Sequence, residues 1–355
     1  MKNRLRIAIA LSILPQVLLV KWMGSHPDFV EKYYSNGLYP IISKFFRSLF
    51  GWIPFSFGDI AYFILVVLAV RYLINYRRAV RKRPLAFLIN IGMVISVAYF
   101  TFHLLWGMNY YRQPIYQKFD LGPTYTKEEL VSFTENLIVK TNQIQFQITS
   151  DSSQAVKVPY SKKEIFQKTF EGYGTLAEQI PFLDYSRPSL KKSMFSLPLT
   201  YMGYGGYLNP FTAEAQVNAK LLPFRFPVVA GHEVGHQLGY SAENETNFIG
   251  YLVTVNNDDI YFKYVAYAYA LAYCLGEVQR IDDKLFNELY DKLNIGTQNN
   301  YKEANDFWAS YENPLEPIFK SAYSTFLKAN NQADGIMSYN YVVSLFVNYY
   351  KKNPL

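Results

Sequence analysis

Three stretches near the N-terminus lack the regular polar interruptions that mark a half-buried helix or strand. Residues 7–20 carry no charge and continue past Lys21, whose long stem can snorkel, to Trp22 and Met23. Residues 60–70 are likewise uncharged and run across Arg71 to Ile74, while residues 85–106 are uncharged apart from His103. A bilayer is crossed by about 20 apolar residues, with roughly 17 as the lower limit. The pattern therefore predicts three transmembrane helices, at about residues 7–23, 60–76 and 85–106.

The punctuation changes beyond residue 107. Thr126 with Glu129, and Ser161 with Glu164, fit the capping box in which each side chain satisfies the other's backbone donor, so both predict helix starts. Residues 194–217 are rich in Tyr, Phe, Gly and Pro and read as extended, whereas the chain from Val228 onward is almost entirely helical in pattern. The expectation is a membrane anchor of residues 1–107 followed by a mostly α domain with a small sheet over residues 108–355. Residues 260–278 are long and apolar, but they hold Lys263, Glu277 and five tyrosines directly after Asp258 and Asp259. They read as a buried core helix and not a fourth span, with Cys274 as core filler. The aromatic run Phe45, Phe46, Phe50, Trp52, Phe55 and Phe57 fits either an interfacial segment or a packed amphipathic helix.

Charge sharpens this topology. The 35 Lys and Arg exceed the 28 Asp and Glu, giving +7, but Lys2, Arg4, Arg6, Arg71, Arg77, Arg78, Arg81, Lys82 and Arg83 flank the apolar stretches, and no acid occurs between Asp59 and Asp120. Without those nine, 26 basic residues face 28 acidic ones, so there is no nucleic-acid-binding face. Basic residues at span ends stay on the cytoplasmic side. Three spans then leave the N-terminus inside a bacterial cytoplasmic (inner) membrane and the C-terminal domain outside, in the periplasm. Nothing near residues 21–26 offers a small-x-small cleavage pattern, so the first span reads as an uncleaved anchor. One cysteine excludes an intramolecular disulfide framework. The lipid bilayer is the predicted partner, and oligomeric state is not encoded legibly.

The chemistry lies in residues 226–252, FPVVAGHEVGHQLGYSAENETNFIGYL. His232 and His236 stand four apart, so on a helix both imidazoles leave one face and can close on one metal, with Glu233 beside them as a general base. Pro227 suits the first turn of that helix, Gly239 its end, and Ser241 the cap of the next. Of the four histidines, the other two, His26 and His103, lie in or beside the spans. The third ligand of a Zn2+ site should then be a carboxylate, with Glu243 and Glu245 as the near candidates. Gly203, Gly205 and Gly206 read as a tight turn or close backbone approach, because no Lys-Ser/Thr follows to make a phosphate loop. Glu214 reads as a hydrogen-bond partner before a ligand. Without a third histidine, an oxyanion donor would be Tyr or Arg, and Tyr339 and Tyr341 are the candidates after the Asp334-Gly335 turn.

This segment resembles the gluzincin metallopeptidases, which pair HExxH with a downstream Glu followed four residues later by an Asp that orients a ligand His. Glu243 with Asn247 keeps that spacing, whereas Glu245 would put Ile249 there, so the resemblance selects Glu243. Asn247 replaces the acid and brings no charge. The glycine three residues after the second His is shared with metzincins, but Ala242 stands where those carry a third His. The whole chain resembles an uncharacterised bacterial family of three-span membrane proteins with an outside HExxH domain of unknown function, through residues 106–112 (WGMNYYR), 206–218 (GYLNPFTAEAQVN) and the HExxH segment. The resemblance implies a zincin-like α+β domain that hydrolyses peptides or proteins, with an edge strand within residues 204–218 to hold an extended substrate. The competing expectation is a non-catalytic membrane scaffold or binding protein with a structural or vestigial zinc site.

Overall fold

The computed structural model describes residues 2–335 and 341–355, the side chains of Lys2, Ala79 and Val80 excepted. Three helices are long and apolar enough to cross a membrane: Asn3–Gly24, Phe57–Arg78 and Pro84–Leu105. The first is interrupted at Ser12, whose hydroxyl donates back to the Ile9 carbonyl at 2.8 Å. The second continues to Lys82, and Pro84 opens the third at a position where a missing N–H breaks no helical bond. First and third helices pack closely at small residues: a Cβ on Gly92 would lie 3.3 Å from that of Ala10, and Ser96 Oγ meets both Ser12 Oγ (2.9 Å) and Gln16 Nε2 (3.0 Å). Leu14, Leu18, Leu65, Val66, Leu85 and Val94 each keep at least 60% of their surface exposed. Such an outward apolar face is too extensive for water and suits a membrane-associated protein.

Between the first two long helices the chain folds back onto the rest of the molecule. The helix Tyr39–Phe50 buries Tyr39, Ser43 and Arg47 and leaves Ile41, Phe45 and Leu49 exposed, with Trp52 beyond it 78% exposed. Phe45, Phe46 and Phe50 of the aromatic run lie on this packed helix, Trp52 and Phe55 follow it, and Phe57 opens the next. Lys191 closes its C-terminal end by donating to the carbonyls of Phe50 (3.2 Å) and Gly51 (2.8 Å), where a cation also meets the negative end of the helix dipole.

Both predicted capping boxes form, at the starts of Lys127–Thr149 and Lys162–Gln179. Ile260–Ile281 is a core helix, capped by the Asp259 carboxylate, with Tyr264, Ala266, Ala268, Leu271 and Cys274 fully buried. The small sheet has β1 (Leu190–Lys192), β2 (Gly206–Asn209) and β3 (Glu214–Val217) in the order β1-β3-β2. β1 runs parallel to β3, while β2 pairs antiparallel with Gly206 opposite Val217 and Asn209 opposite Glu214, which leaves β2 as an edge. Glu214 caps the second long helix, accepting from the backbone N–H groups of Phe57 (3.1 Å) and Gly58 (2.6 Å). The sheet is therefore tied to the start of an apolar helix.

Candidate metal centre

Two helices packed backbone to backbone build the site. The histidine helix, Phe226–Gln237, and the glutamate helix, Glu243–Val255, meet at Gly231 and Gly250. A Cβ on Gly250 would lie 2.6 Å from the Val228 carbonyl and 2.9 Å from the His232 nitrogen, so only glycine permits the approach. Pro227 sits in the first turn of the histidine helix, and Gly239, at φ +86°, turns the chain after its end. Ser241 does not cap the glutamate helix. Ala242 holds the cap position with no side-chain bond, and the Ser241 hydroxyl donates instead to the Asn109 carbonyl at 2.9 Å, fastening the turn to the chain beyond the third apolar helix.

The turn brings Glu243 back over the imidazoles. Its Oε2 lies 3.3 Å from His232 Nε2 and 3.7 Å from His236 Nε2, and one ligand atom from each of the three residues falls within 4.8 Å of the others. Each histidine is fixed from behind. His236 Nδ1 donates to the Tyr240 carbonyl at 2.8 Å, and His232 Nδ1 to Asn247 Oδ1 at 2.9 Å; the Asn247 amide is oriented in turn by its Nδ2 on the Tyr273 hydroxyl at 3.3 Å. Both Nε2 atoms thereby face the carboxylate. Glu245 points away, accepting the Ile115 backbone N–H at 2.6 Å, and burial pushes its carboxyl up to about 7.

The electrostatics follow from burial and pairing. Burial lifts Glu233 to about 7, against the pull of His232 and His236. Burial would also raise Glu243, but His236 and His232 outweigh it and hold that carboxyl well below the usual range. For His236, burial works against the charged form and Glu243 overcomes it, raising the imidazole to about 9. Glu233 Oε2 is buried with no hydrogen-bond partner, and Glu243 Oε2 has none beyond the two imidazoles it faces. Two imidazole Nε2 atoms converging on one buried carboxylate form a donor set that suits a dication.

The end of the histidine helix is fastened by residues far away in the chain. The Tyr39 hydroxyl (2.9 Å) and Ser43 hydroxyl (3.0 Å) donate to the Gln237 carbonyl, and Trp106 Nε1 donates to the His236 carbonyl at 3.0 Å. Arg112 reaches the Gly239 carbonyl at 2.8 Å while forking onto buried Glu31 (2.9 and 3.1 Å) and stacking over Tyr240. Trp106 and Arg112 belong to the WGMNYYR segment, so that signal was visible in the sequence, but its target was not.

A cleft of about 810 Å³ opens onto His232, Glu233, His236, Glu243 and Asn247. β2 contributes Gly206, Tyr207 and Leu208 to its wall, and a Cβ on Gly206 would lie 2.6 Å from Glu233 Oε1. Tyr341 is not in this wall: it is half exposed at the start of the last helix and hydrogen-bonded to Asp334. Tyr339 lies outside the described residues. The phenols that do line the cleft near the ligands are Tyr269, Tyr273 and Tyr323, the last donating to Glu243 Oε1 at 2.5 Å. No periodicity or spacing marked Tyr323, which stands 80 positions after the carboxylate it contacts.

No curated protein and no solved structure is significantly similar to the chain. Residues 34–347 match the family described as "Protein of unknown function (DUF3810)", which takes in the apolar helices from the second onward, the sheet and the whole His–Glu cluster, and the chain belongs to that family.

Proposed function

We propose that this chain is a membrane-anchored, zinc-dependent peptidase of zincin type, acting on peptide or protein substrates on the outer side of the bacterial cytoplasmic membrane. The observation that carries the reading is the pair of imidazoles tied at Nδ1 with both Nε2 atoms aimed at the buried Glu243 Oε2. His232, His236 and Glu243 would hold the ion. Zinc so held supplies Lewis acidity, polarising a carbonyl and making water nucleophilic near neutral pH.

The remaining work falls to the chain. Glu233, buried and poised near 7, is placed to accept a proton from the attacking water and return it to the leaving amine. β2, at the sheet edge beside Glu233, can pair with an extended peptide through backbone hydrogen bonds. The Tyr273 phenol, which accepts from Asn247 Nδ2 and from the Tyr269 hydroxyl, keeps its own O–H as a donor within the same cleft for the developing oxyanion. Among the described residues the cluster numbers three, His232, His236 and Glu243, the ligand count of a catalytic site, where a structural site takes four.

The basic N-terminus and the basic stretch at residues 77–83, where the second long helix ends, support an orientation with both inside and the domain outside. Because Tyr39, Ser43, Trp106 and Arg112 fasten the histidine helix, the test uses the full chain. Purified in detergent, wild type and Glu233→Gln are both expected to bind about one zinc, and only wild type to cleave a peptide library. Zinc retention without cleavage of any peptide would defeat the enzymatic reading.

A further inference from the structure

We infer that the substrate is an acylated peptide, its lipid chain entering the cleft beside the metal ligands from the outer leaflet; the inference rests on the peptidase reading above. The cleft is not walled by the outer domain alone. Tyr62, five residues into the second apolar helix, and Phe102, three residues before the end of the third, line it together with the metal ligands.

An aromatic path joins those two worlds. The Phe102 ring packs edge-on to Phe326 with centroids 6.1 Å apart, Phe326 stacks on Tyr323 at 6.2 Å, and Tyr323 holds Glu243 at 2.5 Å. Trp106, one residue past the third apolar helix, donates directly to the His236 carbonyl, so the histidine helix packs against the end of that apolar helix. Met202, Leu199, Leu208 and Val229 complete a wall that is largely apolar. A volume of about 810 Å³ lies toward the upper end of the range for small-molecule sites.

Arg225 and Lys320 also line the cleft, the latter paired with Glu316 at 2.6 Å. Next in the chain to the lining residues Phe195, Pro198 and Met202, the side chains of Met194, Leu197 and Tyr201 are 60%, 47% and 46% exposed. Ile318, on the helix that carries Tyr323 and Phe326, is 62% exposed. A water-soluble substrate would gain little from those exposed apolar side chains. A peptide tethered by an acyl chain in the same leaflet is delivered at high effective concentration, and the chain exchanges one apolar surrounding for another.

The test is photo-cross-linking in vesicles of phosphatidylethanolamine and phosphatidylglycerol, using the zinc-loaded full chain carrying Glu233→Gln and a hexapeptide with a diazirine-bearing palmitoyl group. Adducts mapped by mass spectrometry are expected on residues 102–110, 195–208 and 323–326. The unlabelled acylated peptide should compete at about tenfold lower concentration than its unacylated form, reflecting the tether. Met202→Glu and, separately, Phe326→Glu should each deplete those adducts severalfold, so that either one suffices if the other misfolds. Adducts confined to the outward faces of the three apolar helices, equal competition by the unacylated peptide, or stronger competition by a peptide fused to a transmembrane helix would each overturn the inference. Cleft adducts without any cleavage by wild type would retain the acyl site and remove the peptidase reading instead. Cleavage of plain peptides with no cleft adducts would do the reverse.

Discussion

His232 Nδ1 lies 2.9 Å from Asn247 Oδ1, and this contact decides which nitrogen of His232 faces Glu243. An amide carbonyl orients the ring as a carboxylate would, but it does not increase the basicity of the imidazole as strongly. Asn247→Leu is therefore expected to weaken zinc binding by about 10–100-fold with the fold intact, whereas Asn247→Asp should tighten it. Competition against a chelator of known affinity measures both, and unchanged affinity in Asn247→Leu would show that the contact does not position the ring.

Zinc binding should depend steeply on pH. The His236 imidazole, raised to about 9 by Glu243 against its burial, carries a proton in the metal-free site at neutral pH, and a dication must displace it. Affinity is expected to climb about tenfold per pH unit from near 7 and to flatten above 9. The metal-free protein should show the opposite trend. A histidine raised from its ordinary 6.5 contributes stability that is full below that value and is lost as pH rises through about 9. Calorimetry in buffers of different ionisation enthalpy counts the released proton; a pH-independent affinity would contradict the coupling.

Gly250→Ala tests the close approach of the two site helices. Its methyl would lie 2.6 Å from the Val228 carbonyl, so the helices must separate. The expected cost is about 1–3 kcal/mol, together with weaker zinc binding because Glu243 and the histidines sit on opposite sides of that contact. Thermal melting with and without zinc reads both. A stable variant with undiminished zinc affinity would mean that the crossing has slack.

Arg112 is the charged rivet of the site. Replacing it with Leu leaves Glu31 buried with Lys118, at 2.6 Å, as its remaining ion-pair partner and frees the Gly239 carbonyl, at a cost of roughly 3 kcal/mol. Arg112→Lys keeps the charge without the fork, and an intermediate loss is expected. Denaturant titration of the detergent-solubilised protein separates the two. Equal losses would assign the effect to charge alone.

The parts legible in the sequence are those governed by short spacings. HExxH places two imidazoles on one helical face, the two capping boxes mark their helix starts, and long uncharged stretches mark three helices of membrane-spanning length. The parts that escaped depend on distant chain meeting the site. Tyr323 reaches Glu243 from 80 residues away, Trp106 reaches His236 from 130, and Tyr39 reaches Gln237 from 198. Tyr341 was singled out by its neighbourhood in the chain, and local turn chemistry carries no information about which cleft a helix start will face. Residues 194–217 read as extended, yet Ser196–Tyr201 is a helix, and left-handed backbone at Ala213 (φ +51°) helps fold the rest into a hairpin whose β2 lies at a sheet edge.

The hydrogen bond from Trp106 to the His236 carbonyl begins one residue beyond the end of an apolar helix. A helix in a bilayer adjusts its tilt to the hydrocarbon thickness around it. With that helix spanning a bilayer, a change of thickness would move the indole with the helix end, and with it the carbonyl of a histidine in the His–Glu cluster. The cluster would in this sense gauge bilayer thickness, with the third helix as its lever.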